Sequence, residues 1–115
     1  MKSITTQQLT HALRQIYDIW YNAPAVPTIY DMVVLNHLLC CYDNDHNCGI
    51  KELCAELSMS KGTASKILKK CLKHDLIKTK VTPTDRRRKY YLPAELLLTS
   101  RQSALDRFRE ALSNT

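Results

Sequence analysis

The stretch from Ile50 to Asp75, "IKELCAELSMSKGTASKILKKCLKHD", narrows the possible folds more than any other part of the chain. Ile50, Leu53, Cys54 and Leu57 follow i, i+3, i+4, i+7 spacing, the mark of a short amphipathic helix. Ser58, Met59 and Ser60 interrupt it, and the Ser60 hydroxyl is suited to cap a following helix by accepting from an unpaired backbone N–H. In that second helix Ala64, Ile67, Leu68, Cys71 and Leu72 share one face. At 3.6 residues per turn, Gly62, Lys66, Lys69 and Lys73 fall opposite, with Thr63 and Lys70 on one flank and Ser65 on the other.

Two short helices joined by a three-residue turn form a helix-turn-helix pattern, spanning 50–74 here. In that arrangement the second helix enters a DNA major groove and residues near its N-terminus meet the bases. After His74 and Asp75 the period changes. Ile77, Thr79 and Val81 alternate with Lys78, Lys80 and Thr82, a strand signature, and Tyr90 to Leu92 can pair back. The intervening "PTDRRR" is expected at the tip of a hairpin that covers 77–92.

The remaining segments read as helices. From 5 to 21, Leu9, Leu13, Ile16, Tyr17 and Trp20 make one apolar stripe, which Pro24 and Pro27 bring to an end. Thr28 begins a core helix to residue 42, with Thr28-x-x-Asp31 resembling a capping box. Ile29, Val33, Leu35, Leu38, Leu39 and Cys40 surround much of its circumference, so it is expected to be central and largely buried. Pro93 stops the second strand, and a closing helix over 94–113 carries Leu97, Leu98, Leu105, Phe108 and Leu112. The 115 residues fit one domain, mainly α with a small β-hairpin. No apolar run approaches the ~20 residues of a membrane span, and a cytoplasmic protein is expected.

Charge is unevenly spread. Lys61 to Leu92 holds eleven Lys/Arg against Asp75 and Asp85, giving +9, while the other residues hold six against nine, giving −3. Such a concentration is an electrostatic footprint for a polyanion. The odd count of five cysteines, set mostly among leucines, argues against a disulfide scaffold and for small buried hydrophobes. Asp43, Asp45 and Asn47 have calcium-loop spacing, but Cys48 stands where Gly is required and Cys54 where Glu is required. Cys40, Cys41, His46 and Cys48 are competent zinc ligands without a paired C-x-x-C knuckle, so no metal and no cofactor is expected. Scattered histidines and the lack of a nucleophile signature or phosphate loop exclude an enzyme from the expectation.

Residues 50 to 92 together resemble the winged helix-turn-helix core of MarR-type transcriptional regulators, as a short, divergent member. "SKGTASKILKKCLKHDLI" resembles that family's recognition helix, and "TDRRRKYYL" its D-x-R wing signature, with Asp85 and Arg87 as the matching pair. His74-Asp75 replaces a common glycine, so the turn there is expected to differ. The resemblance implies double-stranded DNA as partner, contacted by Ser60, Lys61, Gly62, Thr63, Ser65, Lys66, Lys69 and Lys70 of the recognition helix. Thr84, Asp85, Arg86, Arg87, Arg88 and Lys89 form the implied wing contacts, Asp85 bracing Arg87 for a minor groove. It also implies a homodimer through the terminal helices, with Leu9, Leu13, Ile16, Trp20, Leu105, Phe108 and Leu112 at the interface. Alternative readings are a winged-helix module that docks an acidic protein, or a thiol- or metal-responsive sensor with Cys48 as the exposed thiol. The sequence names no operator and no small-molecule effector.

Overall fold

The computed structural model describes residues 5–11, 14 and 28–113, with the Asp85 side chain outside that set. Among the described residues seven elements follow in order: the described part of α1 (6–11), α2 (Ile29–Asp43), α3 (Ile50–Leu57), α4 (Lys61–Lys73), a hairpin of β1 (Ile77–Thr82) and β2 (Asp85–Pro93), and α5 (Glu95–Ser113). This is a mainly helical fold with one two-stranded antiparallel sheet, the winged-helix class. Among the described residues no helix is long and apolar enough to cross a membrane.

The chain divides into two compact units. Thr28–Leu97 form the first, and the terminal segments, described at 5–11, 14 and 98–113, form the second. In the first unit α2 packs on α3, α4 and β2, and α4 packs on α3 and β1. Val34, Leu35, Leu38, Leu53, Ala64, Leu68, Cys71, Ile77 and Leu97 are all nearly inaccessible and make the core. The broad apolar surface of α2 is only partly used: Val34, Leu35, Leu38 and Leu39 are buried, whereas Ile29, Val33 and Cys40 are exposed. A helix buries the stripe that meets its neighbours, and apolar residues beyond that stripe stay at the surface.

Helix starts follow short polar signals. Thr5 and Gln8 cap α1 reciprocally, Thr5 N–H donating to Gln8 Oε1 (2.8 Å) and Gln8 N–H to Thr5 Oγ1 (3.1 Å). Thr28 and Asp31 do the same for α2, at 2.9 and 3.1 Å. Ser60 Oγ accepts from Thr63 N–H at the start of α4.

Helix ends are less conventional. The chain has two glycines, Gly49 and Gly62, and neither ends a helix. Asp45, Ser58 and Asp75 instead adopt the left-handed backbone, at φ 55°, 51° and 57°. After α4, Asp75 N–H donates to Leu72 O and Leu76 N–H to Cys71 O, the paired bonds of a Schellman motif. After α2, Asp45 N–H donates to Tyr42 O and His46 N–H to Cys41 O in the same way. The turn expected to differ at His74-Asp75 therefore keeps the geometry a glycine would adopt. Asp tolerates the left-handed region better than most side chains, at some steric cost.

The hairpin differs from expectation at its tip. Partners run in step from Ile77↔Pro93 to Val81↔Lys89, then jump to Thr82↔Asp85. Only Pro83 and Thr84 form the turn. Arg86, Arg87 and Arg88 lie in β2 across a step to which β1 contributes no residue, so they form a bulge beside the tip.

In the second unit Gln8 Nε2 donates to Leu112 O at 3.2 Å. Of its α5 residues Ala104 and Ala111 are buried, seven residues apart, with Phe108 half-buried. Leu9 and Leu105 are exposed and Leu112 half-buried, while Leu13, Ile16 and Trp20 lie outside the described residues.

The left-handed exit from α4 yields a direct test. Asp75→Gly removes the Cβ penalty at an unchanged φ and is expected to raise stability by about 1 kcal/mol, read as a higher denaturant midpoint at constant m-value.

Candidate nucleic-acid interface

α4 owes its orientation to the face it buries. Ala64, Ile67, Leu68 and Cys71 are 0–7% exposed, which turns Lys61, Gly62, Thr63, Lys66, Lys69 and Lys73 to the surface, with Ser65 half-buried at the margin. The exposed cations spread along the helix and no acidic residue lies between them. At the N-terminus Ser60 and Thr63 are already engaged with each other, Ser60 Oγ donating to Thr63 Oγ1 at 2.9 Å. That leaves the Thr63 hydroxyl proton available to an outside acceptor. A Cβ built on Gly62 meets nothing within 4 Å, so nothing in the fold requires glycine there.

Lys70 behaves differently from its neighbours. Its Nζ donates to Asp31 Oδ2 at 2.6 Å, reaching from α4 to the first turn of α2. Asp31 is 4% exposed, and the same oxygen accepts from Thr28 N–H. Burial pushes the Asp31 carboxyl up, but the Lys70 ammonium and the Thr28 N–H outweigh it and hold the group below the ordinary carboxylate range.

The wing is sewn to the helical part at several points. Tyr91 N–H donates to Cys48 O at 2.9 Å, and Lys80 Nζ reaches Asn47 Oδ1 at 3.4 Å. Arg88 Nη2 pairs with Glu52 Oε1 of α3 at 2.6 Å, and its guanidinium lies 5.8 Å from the Tyr90 ring centroid. The other carboxylate oxygen of Glu52 accepts from Gly49 N–H at 3.1 Å, so one side chain joins the start of α3 to the wing. A Cβ on Gly49 would stand 3.1 Å from Lys89 O and 2.9 Å from Glu52 Oε2, so any larger residue would require the Lys89 carbonyl to give by a few tenths of an ångström and the Glu52 side chain to move. Arg86, Arg87 and Lys89 are exposed, as is Thr84 at the turn. The bracing of Arg87 by Asp85 lies outside the described side chains.

Away from this basic surface, the end of α2 and the following loop gather cysteines in an unexpected way. Cys48 is 1% exposed, so the expectation of an exposed loop thiol is wrong: the reversal at Asp45 turns the loop back and sinks Cys48 against α2. Burial first, then Cys41 and the carboxylates of Glu52 and Glu56, push its thiol up to about 12. Cys71 is pushed up to about 11, again chiefly by burial. The four residues considered for zinc from sequence do not form the cluster. Cys40 is exposed, and the ligand-type atoms that converge belong to His37, Cys41 and Cys48. Sequence reading passed over His37, although its i, i+4 relation to Cys41 on one helix face was the available signal.

The comparisons agree with this geometry. A family model described as the MarR family matches residues 38–88, from mid-α2 through the arginine bulge. The S. aureus MepR–DNA complex is similar over 90% of this chain and 75% of that one, with 18% identity and a TM-score of 0.71. RV1404 from Mycobacterium tuberculosis matches over 93% of this chain and 68% of that one, at 15% identity and a TM-score of 0.72. A mutant of E. coli MarR complexed with operator DNA matches over 94% and 76%, at 16% identity and a TM-score of 0.62. A search of the curated proteins finds no match.

The Asp31–Lys70 contact has a pH signature. Because the folded carboxyl titrates below its unfolded value, its contribution is fully present above about pH 4 and is lost as pH falls through the folded value. Asp31→Asn is expected to cost about 1–3 kcal/mol at pH 7, discounted for the partly exposed lysine. The gap from the parent should close in denaturant melts at acid pH.

Proposed function

We propose that this chain, whose residues 38–88 match a MarR family model, is a MarR-type DNA-binding transcriptional regulator that reads double-stranded DNA as a homodimer. The observation that carries the reading is the exposed basic face of α4 in the same compact unit as the exposed arginine bulge of the wing. Neutralising phosphates with lysine and arginine releases counterions, which supplies much of the affinity for DNA. That the similar MepR and MarR structures are DNA complexes supports the same partner here.

In this reading α4 enters the major groove. Lys61, Gly62, Thr63 and Ser65 meet base edges, with Ser60 capping the helix that presents them. Lys66 and Lys69 bind phosphate. Lys70 positions the helix through Asp31, a role favoured over direct phosphate contact because its ammonium is already engaged. Arg87, assisted by Asp85, enters the neighbouring minor groove, whose negative potential attracts arginine where the groove is narrow. Arg86 and Lys89 bind phosphate beside Thr84. Arg88 is partly neutralised by Glu52 and holds the wing in place.

The dimer would form through the terminal helices, with Leu9, Leu105, Phe108 and Leu112 contributing together with Leu13, Ile16 and Trp20. A two-fold dimer presents two recognition helices to half-sites about one helical turn apart.

Selection of bound fragments from a random duplex library tests partner and symmetry together. A near-palindrome with half-sites spaced by about 10 bp is expected. Kd weaker than about 10⁻⁴ M for every duplex near physiological salt would sink the proposal.

Variants separate the roles. Lys69→Ala should weaken all duplexes alike and flatten the salt slope by about one unit, whereas Arg87→Ala should chiefly lose preference for A·T-rich flanks. Equal, sequence-blind losses from both would refute the assignment. Gly62→Ala should leave the fold intact or stabilise it by up to about 1 kcal/mol, yet weaken DNA binding. Unchanged affinity would remove Gly62 from the interface.

A further inference from the structure

The cysteine cluster at the end of α2 is not used by the DNA-binding reading, and its geometry is specific. His37 and Cys41 lie one helical turn apart on α2, with Nε2 and Sγ separated by 3.6 Å. Cys48 arrives from the loop, and the three ligand atoms lie within 4.8 Å of one another. A zinc ion with Zn–S of about 2.3 Å and Zn–N of about 2.05 Å at the tetrahedral angle requires an S···N separation of about 3.6 Å. The intrahelical pair already stands at that separation. Cys48 Sγ, within 4.8 Å of both, is the third member of the set.

The surroundings suit a metal as well. The three residues line a cavity of about 600 Å³ together with Cys40, Asn44, Asp45, His46, Asn47, Glu52 and Glu56. Its carboxylates would oppose a pair of bare thiolates, a conflict that a dication relieves. Glu52 is occupied by Gly49 N–H and Arg88, which leaves Glu56, Asp45, His46 or water to supply a fourth ligand. Two sulfurs and one imidazole favour a thiophilic ion and disfavour magnesium or calcium.

We propose that His37, Cys41 and Cys48 form a binding site for a Zn²⁺-type divalent cation. Binding converts both thiols to thiolates. Two S–H bonds break, two metal–sulfur bonds and one metal–nitrogen bond form, and two protons leave to solvent, with no redox change. The site would clamp the last turn of α2 to the residue preceding the α3 N-cap, Gly49. The Cys48 carbonyl also accepts the Tyr91 N–H of the wing, so the same clamp bears on the hairpin. The proposal stands apart from the DNA-binding reading, and its test needs no DNA.

Cobalt is the probe, because thiolate coordination to Co²⁺ gives charge-transfer absorption in the near ultraviolet and tetrahedral d–d bands in the visible. The full chain, reduced and stripped with chelator, is titrated with Co²⁺ under anaerobic conditions. One equivalent should produce both sets of bands, and Zn²⁺ should then bleach them. Cys41→Ser, Cys48→Ser and His37→Gln should each weaken binding by more than about 100-fold, beyond the range of outer-sphere changes. Cys40→Ser, Cys54→Ser and Cys71→Ser should leave the bands intact. Circular dichroism checks each variant's fold, and His37 and Cys41, both only half-buried, keep the test decisive should Cys48→Ser unfold. Absent thiolate bands at one equivalent, or bands that survive in folded Cys41→Ser or His37→Gln, would overturn the site.

Discussion

The placement of α4 depends on one carboxylate. Asp31 accepts the Thr28 backbone N–H as part of a helix cap, and the same oxygen accepts the Lys70 ammonium from α4. Among the described residues it is the one charged group that is buried. A buried carboxylate without partners is costly, and with two donors it becomes a directional tie between two helices. The apolar contacts of Ala64, Ile67, Leu68 and Cys71 fix which face of α4 is inward. The ion pair adds a specific point along that helix, which non-directional hydrophobic contact does not provide.

The loops around this frame are made with few glycines. Three helix exits use Asp45, Ser58 and Asp75 in the left-handed region, while the two glycines serve elsewhere. Gly49 admits the close approach of the Lys89 carbonyl, and Gly62 lies open on the surface of α4. These exits carry consequences beyond local geometry. The Asp75 reversal feeds α4 into β1 and so aims the wing. The Asp45 reversal returns the loop to α2, burying Cys48 and bringing it toward His37 and Cys41.

Much of the helix-turn-helix was legible because its signals are local. The apolar spacing of 50–57, the capping Ser60 and the one-sided lysines of 61–73 depend on helical periodicity and short-range hydrogen bonds. The hairpin was visible as a change of period at Ile77. Its tip was not, because strand register depends on cross-strand pairing, and the step between Val81↔Lys89 and Thr82↔Asp85 leaves no mark in either strand alone. The interface likewise divides. The exposure of Lys66 and Lys69 follows from the helical wheel, but nothing local links Lys70 to a residue thirty-nine positions earlier, or Arg88 to one thirty-six positions earlier.

The sequence by itself determined which segments become helix or strand, which face of α4 is apolar, and where positive charge concentrates. Those properties follow from periodicity, capping chemistry and residue type within a few turns of chain. Only the tertiary structure decided which of the cations are tied down, where the arginines leave the sheet ladder, and that Cys48 is buried beside His37 and Cys41. Each of those outcomes requires groups distant in sequence to meet, and such meetings are set by how the helices and the hairpin pack.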